Sequence, residues 1–111
     1  MWLCTNYGFF SVVKLPDYRK EEGDNLPEET FAVRTRVKKH LEQGFPDKKI
    51  WEYPFSDYEF RVYCTCQEIN KFFLDEIQNV NYTNFKSSVT DKKLHNFFLG
   101  IWQLGVSYLS R

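Results

Sequence analysis

The chain has 111 residues, enough for one domain with a hydrophobic core and too few for two comfortable ones. Fifteen basic and fifteen acidic side chains give a formal charge of zero, which argues against a protein that coats duplex DNA, because such binding depends on a basic excess. Aromatic residues make up 19% of the chain, so large rings should dominate the core. We expect a single domain over 1–111.

Cysteine content and hydropathy favour a cytoplasmic protein. The three cysteines form no C-x-x-C pair, and their odd number suits a reducing compartment. The first residues lack the basic region and long apolar run of a signal peptide. No apolar segment reaches the length of a membrane span, so we expect no membrane partner.

The first third of the chain has the pattern of strands. Residues 2–15 contain two apolar runs separated around Asn6-Tyr7-Gly8, which predicts a hairpin or bulge with Gly8 at positive φ. Residues 17–30 are mostly charged, which predicts a mobile surface loop. A strand is then predicted from Phe31, with inward residues Phe31, Val33 and Val37 and outward residues Arg34 and Arg36.

The middle of the chain predicts a short helix over 37–43 and two further strands. Residues 49–53 form a short strand candidate with Trp51 and Tyr53 on one face. Residues 56–65 alternate most clearly, which predicts one buried and one polar face. The buried face comprises Tyr58, Phe60, Val62 and Cys64, and the polar face Asp57, Glu59, Arg61 and Tyr63.

Two long helices are predicted in the last part of the chain. Thr65 and Glu68 match a capping box that opens a helix reaching Val80. Residues 81–89 are predicted to be a polar loop, and Thr90 to cap a last helix that ends near residue 109. This order indicates an α+β fold, with a mostly antiparallel sheet of four to five strands covered on one face by the two helices. A ferredoxin-like arrangement is the first specific expectation.

Arginines on the polar strand faces suggest a binding surface. Arg34, Arg36 and Arg61 alternate with apolar neighbours and could converge on one anion, since the guanidinium fork binds phosphate or carboxylate bidentately. Nearby aromatic rings could stack on a base. The candidate ligand-binding residues are Arg34, Arg36, Arg61, Lys86, Asn84, Tyr7, Tyr63, Tyr58, Trp51 and Asp57. Tyr58 stands apart, because its strand face should be buried. The alternative is a solvated face with ion pairs from arginine to Asp57 and Glu59.

Asn84 and Lys86 belong to a second candidate segment, residues 84–88, just before a helix start. Free backbone N–H groups there favour anions, and Lys86 would add a positive charge. The alternative is ordinary loop and cap chemistry.

No catalytic motif is present in the sequence. Asp57 and Glu59 could act as a carboxylate pair, but no partner base or metal is nominated. The cysteines and histidines match no familiar zinc spacing. We therefore predict no catalytic residue, no metal and no cofactor, and favour binding over catalysis.

Several short segments together resemble a family of small uncharacterised proteins from bacteria and their phages. They are W-x-x-T-N-Y-G-F-F-S at 2–11, R-x-R at 34–36, D-Y-x-F-R at 57–61, N-F-K at 84–86 and the late Trp102. The resemblance spans nearly the whole chain and implies an origin without a mechanism. A phage origin would place the protein in the host cytoplasm and would suit a counter-defence protein that captures a nucleotide-derived immune signal.

The favoured function is non-enzymatic binding of a small anionic, nucleotide-derived ligand. One alternative is a protein–protein interaction module, for instance an inhibitor that docks on a host enzyme through exposed aromatic residues. A second is a metal-dependent phosphodiesterase that uses Asp57 and Glu59. An aromatic-rich chain with an uncovered sheet face also favours a homo-oligomer, in which sites between copies could form.

Overall fold

The computed structural model describes residues 1–15 and 29–110, which form an antiparallel sheet with helices. The strands are β1 (Trp2–Cys4), β2 (Phe9–Lys14), β3 (Thr30–Thr35), β4 (Trp51–Glu52) and β5 (Phe60–Thr65). The helices are α1 (Lys38–Gly44), α2 (Cys66–Gln78), α3 (Phe85–Ser88) and α4 (Lys92–Leu109). The mobile loop predicted over 17–30 lies outside the described residues up to position 28, and its last residue, Thr30, opens β3.

The five strands are arranged in the order β1-β2-β3-β5-β4, and each neighbouring pair is antiparallel. This confirms the α+β class and the antiparallel sheet. The order differs from the β-α-β-β-α-β order of a ferredoxin-like domain, because the first three strands follow one another directly in the sheet. Only four residues join β1 to β2, and so short a connection makes a hairpin where a ferredoxin-like domain has a crossover helix.

The main core lies between the sheet and helices α1 and α2. Val62 and Cys64 of β5 point into it, as their alternation predicts. The cluster comprises Phe10, Val12, Val33, Leu41, Phe45, Val62, Cys64, Ile69 and Phe72. Phe72 packs edge-on against Phe10 and stacks on Phe45, with ring centroids 5.4 Å and 4.4 Å apart. Large rings therefore supply much of the buried surface, as the composition indicates.

A second apolar cluster lies on the opposite face of the sheet. It comprises Phe9, Tyr58, Val89, Leu94 and Phe98. Phe9 and Phe10 are consecutive in β2, so their side chains point to opposite faces. Helix α4, which supplies Leu94 and Phe98, therefore begins on the face opposite α2, whereas both long helices were expected on one face.

The strand predicted over 56–65 begins four residues later, at Phe60. A turn precedes it, in which the Tyr53 N–H donates to the Glu59 carbonyl at 2.7 Å and the Ser56 N–H to the Tyr53 carbonyl at 2.9 Å. Tyr58 lies in this turn and is buried as predicted, but in the second cluster and not with Val62. Alternation alone does not show where a turn ends and a strand begins.

Three other predictions near helix starts need correction. Val37 was expected to point inward, but it is exposed at the N-cap of α1. Thr90 was expected to cap the last helix, but the Asp91 carboxylate accepts the Leu94 N–H at 3.0 Å and takes that role. The loop predicted over 81–89 contains the single turn α3.

Gly8 is required for close packing and not for a left-handed backbone. None of the glycines in the described ranges has a positive φ, so that part of the hairpin prediction is wrong. A Cβ on Gly8 would lie 2.8 Å from Cε2 of Phe10 and 3.1 Å from Cβ of His40. The hairpin backbone at Gly8 therefore passes directly over the buried ring of Phe10.

Helix α4 leaves the sheet with large apolar side chains exposed. The exposed members are Phe97, Ile101, Trp102, Leu104, Val106, Tyr108 and Leu109. Within 1–15 and 29–110, no helix combines the length and the apolar character that crossing a bilayer requires.

Candidate functional site

Four side chains form a row across the face of the sheet that also carries the second apolar cluster. Ser11 of β2 pairs in register with Arg34 of β3, Arg34 pairs with Arg61 of β5, and Arg61 pairs with Trp51 of β4. Residues that are directly opposite in antiparallel strands lie on the same face and about 5 Å apart. The sheet register therefore brings two of the predicted arginines side by side.

Tyr58 joins all three arginines into one group, which we call the arginine cluster: Arg34, Arg36, Arg61 and Tyr58. The guanidinium carbons of Arg34 and Arg36 lie 4.7 Å and 4.4 Å from the centre of the Tyr58 ring. The Nη2 of Arg61 donates to the Tyr58 carbonyl at 3.3 Å. Tyr58 is only 6% exposed, so these cation–π contacts form against a fixed ring.

Serine hydroxyl groups accept hydrogen bonds from two of the arginine side chains. Arg34 Nη2 donates to Ser11 Oγ at 2.8 Å, and Arg61 Nη2 donates to Ser56 Oγ at 3.1 Å. Arg61 also stacks on Tyr53, with its guanidinium carbon 4.4 Å from the ring centre. Its Nε is buried, and no described residue accepts a hydrogen bond from it.

Arg36 lies at the exposed end of the cluster, where it pairs with Asp57 at 3.0 Å. The hydrogen bond to Asp57 raises the pKa of Arg36. Half of the Arg36 side chain and 78% of the Asp57 side chain remain exposed, so water screens this pair. For Arg36 the structure therefore matches the alternative expectation, a solvated face on which arginine forms an ion pair with Asp57.

The predicted aromatic residues Tyr63 and Trp51 lie beside the cluster on the same face. Tyr63 of β5 pairs with Ala32 of β3. Each of the two lies two residues from an arginine of the Arg34–Arg61 pair, so both are on the same face of the sheet as that pair. Its ring is 6.4 Å from that of Trp51, and its hydroxyl is 3.3 Å from that of Tyr53. One face of Trp51 carries the ammonium of Lys49, 3.8 Å from the ring centre.

An apolar cavity of about 360 Å³ adjoins the cluster through Arg36. Phe9, Leu94 and Phe97 line it, together with His40. The Nδ1 of His40 accepts the Phe9 N–H at 3.2 Å, and burial lowers the pKa of His40. A ligand held by Arg36 would therefore have an apolar wall within reach.

Asn84 and Lys86, the second predicted segment, make contacts with other parts of the chain. Lys86 stacks on Trp102 of α4, with its ammonium 4.0 Å from the ring centre. The Asn84 carbonyl oxygen accepts the Ser87 N–H at 3.1 Å and so caps α3. These contacts match the cap chemistry that was the alternative for this segment.

Tyr7 lies on the main-core side of the sheet, on the face opposite the arginine cluster. Its hydroxyl donates to the Glu76 carboxylate of α2, and its ring packs edge-on against Phe10 at 5.8 Å. Burial and the neighbouring Glu76 carboxylate raise the pKa of Tyr7. Tyr7 thus ties the hairpin to α2.

Ser11, Ser56 and Tyr53 hold the cluster but were absent from the predicted set. Ser11 places a hydroxyl group among the apolar residues of β2, and this polar position is the signal that could have identified it. The sequence could not identify Arg34 as the partner of Ser11, because it does not fix the strand register. A one-residue change of register would turn the Ser11 side chain to the other face of the sheet.

Asp57 and Glu59 do not form a metal centre with other described residues. Across 1–15 and 29–110, no group of three or more histidine, cysteine, aspartate or glutamate residues could hold an ion. Asp57 instead accepts from Arg36. The phosphodiesterase alternative thus has no ligand group in these ranges.

Comparison of the chain with protein-family models, with curated proteins and with solved structures finds no match.

Proposed function

We propose that the arginine cluster binds a small phosphate-bearing ligand and holds it without chemical conversion. The observation that carries this proposal is the direct pairing of Arg34 with Arg61 in adjacent strands. Like charges directly opposite each other destabilise a sheet. An anion shared by the two guanidinium groups would turn that repulsion into attraction.

The shape of the cluster suits phosphate. A guanidinium group presents its donors in a planar fork that matches two oxygens of one phosphate. Contacts to Tyr58, Ser11 and Tyr53 restrict the two side chains, so less conformational entropy is lost on binding.

The surroundings favour a ligand that also carries a ring. Tyr63 and Trp51 lie beside the arginine pair, and the apolar cavity opens next to Arg36. Bases stack on such rings with about 1–3 kcal/mol each. We therefore place the ligand among nucleotide derivatives, and capture of a nucleotide-derived signal is the activity that suits a phage-type protein.

Isothermal titration against inorganic phosphate, pyrophosphate, ADP-ribose and a cyclic dinucleotide tests the proposal. We expect at least one of the nucleotide probes to bind, and Arg61→Gln to weaken its binding at least tenfold, or about 1.4 kcal/mol. Lys71→Gln is the matched control, because Lys71 lies on α2 and pairs with Asp75 within that helix. Absence of heat with all four probes would count against the proposal, as would equal losses in both variants.

A further inference from the structure

Helix α4 carries an exposed apolar stripe with the spacing of a helix-pairing seam. We define the α4 seam as Phe97, Ile101, Leu104 and Tyr108, which are separated by four, three and four residues. Alternating spacings of three and four place side chains along one side of a helix, as in a coiled coil. Their exposed fractions are 44%, 40%, 59% and 79%.

The rest of α4 lacks the polar face that would explain a helix lying in water. From residue 94 to residue 109 it contains no aspartate, glutamate, lysine or arginine. A helix without a charged face is normally buried against another element. Helices that lie on a membrane surface carry lysine and arginine on their polar face, so this composition favours a protein partner.

The seam is complementary to itself when two copies run antiparallel. Reversing the helix about its midpoint between Ile101 and Leu104 brings Phe97 opposite Tyr108 of the other copy and Ile101 opposite Leu104. The same reversal pairs Gly100 with Gly105, and a Cβ at either glycine would meet nothing within 4 Å. Rings thus meet rings at both ends, while the glycines leave room for close approach.

The seam supplies about half of the area of a standard interface. Its four side chains each offer on the order of 100 Å² of exposed surface, against the ~800 Å² that each partner contributes to an interface of standard size. Surfaces beside the two helices have to contribute the remaining area. The absence of charged residues from 94 to 109 also removes any like-charge repulsion between two copies of this stretch of the helix.

We infer that two copies of this chain associate through the α4 seam with their helices antiparallel. Paired helices lie about 8–10 Å apart. The molecule measures 44 × 29 × 27 Å, so a parallel pair would force the bodies at the helix starts to overlap. Antiparallel pairing places these bodies at opposite ends and covers the seam side of each helix.

Sedimentation velocity of the full chain over a wide concentration range tests the association. We expect a dimer for the unaltered chain and a monomer for Leu104→Glu, whose carboxylate would be buried in the seam. Gln103→Glu is the matched control, because Gln103 lies off the seam, and it should remain a dimer. A monomeric unaltered chain, or a dimeric Leu104→Glu variant with unchanged circular dichroism, would overturn the inference.

Cross-linking tests the orientation independently of any effect on folding. Phe97→Cys and Tyr108→Cys are made separately in a Cys66→Ser background, since Cys66 is exposed. A mixture of the two variants should form a disulfide between copies, and each variant alone should not. Equal linking of each variant alone would show a parallel pair and overturn the antiparallel seam. Absence of a disulfide in the mixture would overturn it as well.

Discussion

Arg34 and Arg61 stand directly opposite each other on β3 and β5, and the same buried residue, Tyr58, contacts Arg34 through its ring face and Arg61 through its backbone carbonyl. Placing like charges together costs stability, and functional sites commonly retain such costs because binding requires them. The ligand that we propose would offset this cost.

The first prediction separates stability from binding at Arg61. Arg61→Gln removes the repulsion but also the stacking on Tyr53, so the free energy of unfolding of the ligand-free protein should change by less than about 1 kcal/mol. Urea denaturation followed by fluorescence measures this change. A loss of several kcal/mol would mean that Arg61 is a structural residue.

The second prediction concerns Tyr58, which supports two guanidinium groups. Tyr58→Leu removes both cation–π contacts together with part of a buried ring, and should cost about 2–4 kcal/mol. Tyr58→Phe keeps the ring and should cost about 1 kcal/mol or less. The two variants are compared by urea denaturation, and similar losses for both would show that the hydroxyl, and not the ring, matters.

The sequence predicted the individual elements of this fold better than their arrangement. Alternation in β5 marked Val62 and Cys64 as buried and Arg61 as outward, because the pleat has a period of two. The convergence of Arg34 with Arg61 was expected only if both strands shared a sheet, and their register depends on tertiary packing. Asn84 and Lys86 could not be placed, since their position depends on where α3 meets α4.

The sequence also could not show which side of the sheet α4 covers. Phe9 and Phe10 are identical in type and consecutive, so nothing local shows which ring faces α2 and which faces α4. Nor does the sequence show that, of the many apolar residues in α4, only Leu94 and Phe98 are buried.

The third prediction tests the contact between Gly8 and Phe10. Gly8→Ala places a methyl group 2.8 Å from the Phe10 ring and should cost about 1–3 kcal/mol. Because the clash involves the far end of that ring, Gly8→Ala combined with Phe10→Leu should lose less stability than the sum of the two single changes. Strictly additive losses in thermal unfolding would show that the close approach is not what requires glycine.

The fourth prediction compares the cap of α2 with an unused cap. Thr65 Oγ1 accepts the Glu68 N–H, and the Glu68 carboxylate accepts the Thr65 N–H at 2.9 Å, so Thr65→Ala should cost about 1 kcal/mol. Thr90→Ala is the control and should cost less than about 0.5 kcal/mol, since Asp91 caps α4. Chemical denaturation of both variants checks this, and equal losses would contradict the assigned caps.

The fifth prediction concerns pH and His40. Burial lowers the pKa of His40 in the folded protein, so the unfolded chain takes up a proton first as the pH falls. Its contribution to stability is complete above about 6.5 and is lost as the pH falls through the folded pKa. The Asp91 carboxylate opposes this shift without reversing it. Thermal unfolding of His40→Gln should depend less on pH below 6.5 than that of the unaltered protein, and an unchanged pH dependence would contradict a buried neutral imidazole.

The most direct measurement identifies what the protein carries. The purified protein is incubated with the small-molecule fraction of cells, desalted gently and heated, and the released compounds are identified by mass spectrometry. We expect a phosphate-bearing compound from the unaltered protein and none from the folded Arg34→Ala/Arg61→Ala variant. An unaltered protein that releases no such compound, or a variant that releases the same amount, would contradict ligand binding at the arginine cluster.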